Sequence, residues 1–303
     1  MIVGGAGKTP SVICLVNQLL ALGIKPAVIS RGYKSKVDKN NKNSKVVRLE
    51  SSESSSLEFG DEPCLIAETG VPVCVGERVS SYKLIISEFP NTDVVLLDDG
   101  LQQQRIKPDR KILVLDKRII GNGNTLPFGP LREPIPLRHK IDSIILNCIN
   151  DEIFHSDVFE KVKLPKTTKI GHLKMDSVTW RNYKNIEVET KIIHNKIQNN
   201  YKKTNAKPLA VAGIAVPSRF FELLENLKIE FEPLWFENHD INFAENLSAH
   251  LKTSSRIVLL TEKDWVRIFY SKNLSNLNSS RFWAMKLNLS IEKDFTKNVT
   301  NWI

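Results

Sequence analysis

Gly4, Gly5 and Gly7 run into Lys8 and Thr9 at the head of an amphipathic segment, Ser11 to Leu22. Glycines lack a Cβ, so the backbone N–H groups of such a stretch can curl around oxyanions. A helix start adds partial positive charge, lysine neutralises phosphate, and a threonine hydroxyl can ligate Mg²⁺. Gly4, Gly5, Ala6, Gly7, Lys8 and Thr9 therefore form a candidate phosphate-binding loop, with Thr9 also a candidate metal ligand. Two features fall short of the full GxxxxGK[ST] pattern. Ile2 stands where the first glycine belongs, and the strand entering the loop is cut down to Met1, Ile2 and Val3. The plain alternative is a glycine-rich turn capping an ordinary helix.

Val94 to Asp99 (VVLLDD) is an apolar strand ending in paired acids, which is how a phosphate-loop protein places carboxylates for Mg²⁺. Asp98 and Asp99 are accordingly candidate metal ligands, against a simpler role as turn caps. Asp61 and Glu62, in FGDEP, suit either a base for an attacking hydroxyl or a helix N-terminus, where carboxylates are electrostatically favoured. Arg132 and Glu133 follow a proline-fixed turn. That arginine suits the charge of a transferring phosphoryl group, or a pairing with Glu133 that stiffens the loop. His239, in FENHD, is a lone histidine of a kind more often structural than catalytic. For Thr261 to Asp264, helix capping is a sufficient explanation.

The elements that must position these groups alternate. Strands are expected at 25–30, 71–75, 93–97, 111–115 and 143–147, with helices between the earlier ones and a Gly/Pro-rich loop over 121–134. Alternation of this kind predicts a doubly wound parallel sheet with ligands at the carboxyl ends of its strands. From Pro208 a second strand–helix series begins. The fold class expected is α/β: a phosphate-loop domain over 1–163, a β-ribbon linker over 164–207, and a smaller α/β domain over 208–303. Residues 34–56 read as a polar surface excursion, and the final thirty residues resist assignment.

The 303 residues are 41% apolar and carry a net charge of +9 spread over scattered lysines, which suits anionic partners without choosing among nucleotide, nucleic acid and acidic lipid. Cys14, Cys64, Cys74 and Cys148 lie in apolar runs without CxxC spacing and read as reduced core residues. No run of 18 apolar residues marks a membrane span, and no signal peptide precedes the loop.

GGAGKTP, SRGY (30–33), GDEP (60–63), DDGLQ (98–102), GNGNTLPFGPLREP (121–134), AGIAVPSRFF (212–221), FENHD (236–240) and TEKD (261–264) stand in an order that resembles the tetraacyldisaccharide 4'-kinase family of lipid A synthesis. The resemblance implies transfer of the ATP γ-phosphate to the 4'-hydroxyl of a tetraacylated glucosamine disaccharide 1-phosphate, with Mg²⁺. It implies peripheral attachment to the cytoplasmic face of the bacterial inner membrane, and a lipid rather than a nucleic-acid partner. By the same resemblance Lys8 and Thr9 serve phosphates and metal, Asp98 and Asp99 the metal, and Asp61 with His239 an acid/base pair. Arg132 and Glu133 then lie near the reacting phosphates. Gln103 replaces a usual histidine, Ala215 and Val216 interrupt a GIGNP-like motif, and FENHD replaces FxDHH. Family members carry a further N-terminal segment with a membrane-associating helix, so the short start reads as a fragment or a misplaced start. The other readings are a nucleotide-switch protein acting on a partner and a truncated, inactive homologue.

Overall fold

The computed structural model describes residues 5–33, 35–37, 44–49, 55–101, 105–131, 141–149, 153, 155–165, 167–238, 240, 242–252, 254–270 and 279–301. In the first half lie α1 (Lys8–Ala21), β1 (Pro26–Ser30), β2 (Ser44–Val46), α2 (Ser55–Phe59), α3 (Asp61–Ala67), β3 (Val73–Gly76), α4 (Arg78–Glu88) and β4 (Val94–Leu97). They are followed by β5 (Ile112–Leu115), β6 (Ser143–Asn147), α5 (His155–Val162), β7 (Lys169–Arg181), β8 (Glu187–Glu189) and α6 (Thr190–Thr204). The remainder holds β9 (Leu209–Ala212), α7 (Pro217–Asn226), β10 (Glu232–Trp235), α8 (Phe243–Leu251), β11 (Val258–Thr261), α9 (Glu262–Phe269), β12 (Phe282–Ser290) and α10 (Lys293–Thr300).

One sheet runs β2-β3-β1-β4, in which β1 pairs in parallel with β3 and β4 and only β2 is antiparallel. Its inner strands β1 and β3 are buried along their whole length, as strands covered on both faces must be. Apolar side chains pack on either side. Ala27, Ile29, Cys74 and Ile85 form one cluster, and Val28, Val73, Val75, Val16, Phe59, Cys64 and Ile66 belong to the other. Cys14, Cys64 and Cys74 are buried and Cys148 half-buried, none bonded to another, and burial lifts the Cys14 and Cys74 thiols to about 12. They are inert core residues, as their apolar settings foretell.

The second sheet runs β10-β9-β11-β12-β7-β6-β5, with β8 folded back on β7. Its thirteen-residue strand β7 has two main neighbours. Residues 169–173 lie parallel to β6, and residues 174–181 run antiparallel to β12. Within 164–207, where the sequence suggests only a ribbon, the structure also has the fifteen-residue helix α6. Its segment is rich in Lys and Asn, and its apolar stripe is thin, with Ile193 fully buried and Ile197 packed one turn on. The last thirty residues supply β12 and α10.

The phosphate-loop lobe and the C-terminal lobe meet where α3 lies against α9. Asp61 Oδ2 is 3.6 Å from Arg267 Nε, and Glu62 Oε1 is 3.4 Å from Lys263 Nζ. Glu68 Oε2 lies 2.8 Å from Arg181 Nη2, while the Tyr270 hydroxyl donates to Glu68 Oε1 at 3.2 Å. Val266 and Tyr270 of the second lobe join the same apolar cluster as Phe59, Cys64 and Ile66. The helices are thus joined by a dry core edged with ion pairs. The Glu68–Arg181 pair is 15% and 10% exposed, so removing one member strands a poorly hydrated charge. Arg181→Met is expected to lower unfolding free energy by roughly 3 kcal/mol. Urea denaturation checks this, and the double variant Arg181→Met/Glu68→Gln should recover part of the loss.

Candidate functional site

The carboxyl ends of the parallel strands converge on the start of α1. Gly5 and Gly7 there adopt φ of 58° and 90°, values that favour glycine, and no side chain caps the first turn. The uncapped N–H groups at this turn are the donors an oxyanion needs. The loop's own carbonyls are held from outside. Arg219 Nη1, on α7, donates to Gly5 O at 2.8 Å, and Asn147 Nδ2, at the end of β6, donates to Ala6 O at 3.3 Å. A Cβ added to Gly7 would overlap the Asn147 amide, so the cradle closes around a glycine. Ser11 locks the first turn through its hydroxyl bond to Gly7 O at 2.9 Å.

Lys8 Nζ reaches to 3.7 Å from Asp99 Oδ1, and both side chains stay about a quarter exposed at 28% and 25%. Asp98, one residue earlier at the end of β4, is buried and accepts a hydrogen bond from Ser30 Oγ at 3.1 Å. Burial, reinforced by the charge of Glu62, pushes its pKa up to about 6, with Asp99 adding to the rise. Ser30 and Arg78 oppose this in part. A buried carboxylate with so little compensation has the electrostatics of a cation ligand. Among the described residues no group of three or more His, Cys, Asp or Glu forms a metal cage. Thr9 with Asp98 and Asp99 instead suits Mg²⁺, which uses one or two carboxylates together with phosphate oxygens and water.

Arg78 was not foreseen. Its guanidinium is buried, donating to Ile29 O and, at 2.5 Å, to Asp98 O, and so fixes the end of β4 against β1. Burial lowers its pKa to about 10, partly offset by Asp98. Asp116 was also missed, although β5 ends in an acid just as β4 does. It is buried, 2.6 Å from Arg118 Nη2 and 3.3 Å from Arg219 Nη2. Burial alone would raise its pKa, yet these arginines hold the carboxyl below its usual range. Arg219 therefore links the phosphate loop, the β5 end and the C-terminal lobe.

Asp61 opens α3, after Gly60, which packs against Gly32 and Tyr33. Its neighbour Arg267 is the centre of a second cluster. Arg267 Nη1 donates to Gly213 O at 3.1 Å and lies 3.2 Å from Asp264 Oδ1, while Nη2 donates to Asp240 O at 2.6 Å. The guanidinium also sits 4.5 Å over the Phe243 ring. Asp264 is buried, accepting from Gly213 N at 3.0 Å and from Thr261 Oγ1 at 2.7 Å. Thr261 does cap α9, accepting from Asp264 N at 3.1 Å, as capping alone predicts. The structure adds that Asp264 anchors Arg267 and the loop after β9. No local signal in the sequence marked Arg267, since its partners come from four separate segments.

Gly5, Ala6, Gly7, Lys8, Thr9, Asp98 and Asp99 thus gather at one sheet edge, and Asp61 stands on the adjoining helix. Gly4, Arg132, Glu133 and His239 lie outside the described residues, as does Gln103. For His239, the adjacent residue Asp240 is bound through its carbonyl by the same arginine that faces Asp61.

A glycine cradle at a helix start, a lysine, and a strand-end carboxylate pair on an α/β sheet define a phosphate-loop phosphotransferase. The family model for LpxK, tetraacyldisaccharide-1-P 4'-kinase, matches residues 1–303, and this chain belongs to that family. It is 36% identical over 293 residues to the tetraacyldisaccharide 4'-kinase of Janthinobacterium sp. (strain Marseille), covering 96% of this chain and 76% of the relative. Against the enzyme of that name from Pasteurella multocida (strain Pm70) it is 35% identical over 277 residues, covering 89% and 75%. The crystal structure of the "apo" form of LpxK from Aquifex aeolicus in complex with ATP superposes with a TM-score of 0.72 at 24% identity, covering all of this chain and 86% of that one. That likeness establishes the shared fold.

Gly7→Ala would meet both the Asn147 amide and a left-handed φ. It is expected to weaken ATP binding by at least about tenfold while leaving secondary structure intact, as isothermal titration and circular dichroism would show.

Proposed function

We propose that this chain transfers the γ-phosphoryl group of ATP to the 4'-hydroxyl of a tetraacylated glucosamine disaccharide 1-phosphate, as a peripheral protein of the cytoplasmic face of the bacterial inner membrane. Family membership supports the acceptor, and the Aquifex structure, a complex with ATP, supports the donor. No helix among the described residues is long and apolar enough to cross a membrane, so attachment in this reading is to the surface. The observation that carries the reaction is Asp61. It is a carboxylate at a helix start, next in sequence to Glu62, whose charge acts on Asp98, and it is held against the second lobe by Arg267.

In the reaction so read, the acceptor hydroxyl oxygen attacks the γ-phosphorus as Asp61 takes its proton. The bond from that phosphorus to the β–γ bridging oxygen breaks, and ADP leaves. In this reading His239 orients Asp61, and Arg267 also positions the carboxylate. The α1 N–H groups hold phosphate oxygens, while Lys8 and Arg132 meet the developing negative charge, with Glu133 beside Arg132. Mg²⁺ bound through Thr9, Asp98 and Asp99 would neutralise charge on the β- and γ-phosphates.

ADP release should require the acylated disaccharide. Release without it, accelerated by a protein partner, would point to a nucleotide switch. Asp61→Ala should lower kcat by roughly 10²–10⁴ with little change in the KM for ATP, and an unchanged kcat would remove Asp61 from the mechanism. Arg267→Ala should lower kcat roughly tenfold to hundredfold, with activity partly restored by added guanidinium but not by Arg267→Lys, whose point charge cannot replace the planar fork.

A further inference from the structure

The loop between Asp116 and Leu131 leaves the rim of the site and displays apolar side chains to solvent. Two of its hydrophobic residues are anchored: Ile119 and Leu131 are 3% and 1% exposed. Between them Leu126 is 56% and Phe128 is 82% exposed, the latter the highest value among the exposed large hydrophobic residues described, and Pro127 is exposed with them.

A loose loop could fold such side chains inward, but this one is braced. Asn122 Nδ2 donates to Phe128 O at 2.8 Å, Leu126 N to Leu131 O at 2.8 Å, and Phe128 N to Thr125 O at 2.9 Å. Leu131 N donates to Asn124 O at 3.2 Å, and a Cβ on Gly129 would overlap Asn122 Oδ1 and Asn124 O. The apex is therefore held in its outward form by its own backbone.

The apex also has a directed chemistry. From Gly121 to Leu131 the sequence GNGNTLPFGPL carries no charge, while at the root Lys117 is exposed and Arg118 half-exposed beside Asp116. Asp116 is bound by Arg219, whose other nitrogen holds the phosphate loop. An uncharged Leu-Pro-Phe tip above a root that presents the exposed Lys117, beside the Arg118–Asp116 pair, matches a lipid–water interface, with apolar groups entering the acyl boundary and the lysine left at anionic headgroups. A hydrophobic protein partner would not need a cation confined to the root.

We infer that the Leu126–Phe128 tip is a wedge that inserts into an anionic bilayer and turns the phosphate-loop site toward it. The inference adds a specific segment to the proposal of peripheral membrane attachment, on which it rests, but its test needs no turnover. Thus failure of the kinase assay and failure of the wedge remain separate results.

The test uses vesicles of phosphatidylethanolamine and phosphatidylglycerol, with and without bromine on the acyl chains. Phe128→Trp is expected to show a blue-shifted emission increment over wild type that brominated lipid quenches. In co-sedimentation, Leu126→Ser/Phe128→Ser should bind at least about tenfold more weakly than wild type, with an unchanged melting temperature. Emission from Phe128→Trp that vesicles leave unaltered would overturn the wedge, whether the protein stays in solution or binds by another surface. Shielding of that tryptophan without lipid, accompanied by dimer formation, would also overturn it by identifying the tip as a contact between copies.

Discussion

The arrangement depends above all on one buried cation, Arg267. Its planar fork is shared among the carboxylate of Asp264, the carbonyls of Gly213 and Asp240, and the carboxylate of Asp61 on the opposite lobe. A lysine, as a point charge on a flexible stem, cannot satisfy such divergent acceptors in a fixed geometry. Because Arg267 is only 7% exposed, its charge requires these partners, and in meeting that need they fix where α3 begins. Placement of the Asp61 carboxylate is thus coupled to the C-terminal lobe.

The phosphate loop is built on the same plan. Its glycines supply the left-handed backbone, while residues distant in the chain choose its shape: Arg219 takes the Gly5 carbonyl and Asn147 the Ala6 carbonyl. With those carbonyls turned outward into side-chain donors, the N–H groups at the head of α1 remain for a ligand. Asp98 completes the electrostatics. Held in a dry position at the end of β4, it gains from a cation what its hydrogen bond from Ser30 does not supply.

The contact between lobes places these two centres in one framework. Arg219 joins the C-terminal lobe to the phosphate loop, and Arg267 joins it to Asp61. In the second sheet β7 is long enough that residues 169–173 belong to β6 and 174–181 to β12. The apolar contact and the ion pairs between α3 and α9 join the lobes a second time.

Much of this was legible in the chain itself. Glycine spacing marked the loop before Lys8, alternating apolar runs marked β1, β3, β4, β5 and β6, and acids closing an apolar strand marked Asp98 and Asp99. Thr261, three residues before Asp264, announced the cap of α9. Such signals are local, arising from backbone preference and periodicity within a few residues. Helix α6, whose apolar stripe is thin within a Lys- and Asn-rich segment, and β12, late in a polar tail, gave only weak patterns. Tertiary structure alone decided that Arg78 holds Asp98, that Asn147 closes on Gly7, that Arg219 and Arg267 each bridge the lobes, and that Phe128 stands in solvent while Leu131 is buried. Each of these is a pairing between segments far apart in the chain, where partner identity follows from packing and charge in three dimensions and leaves no periodic trace.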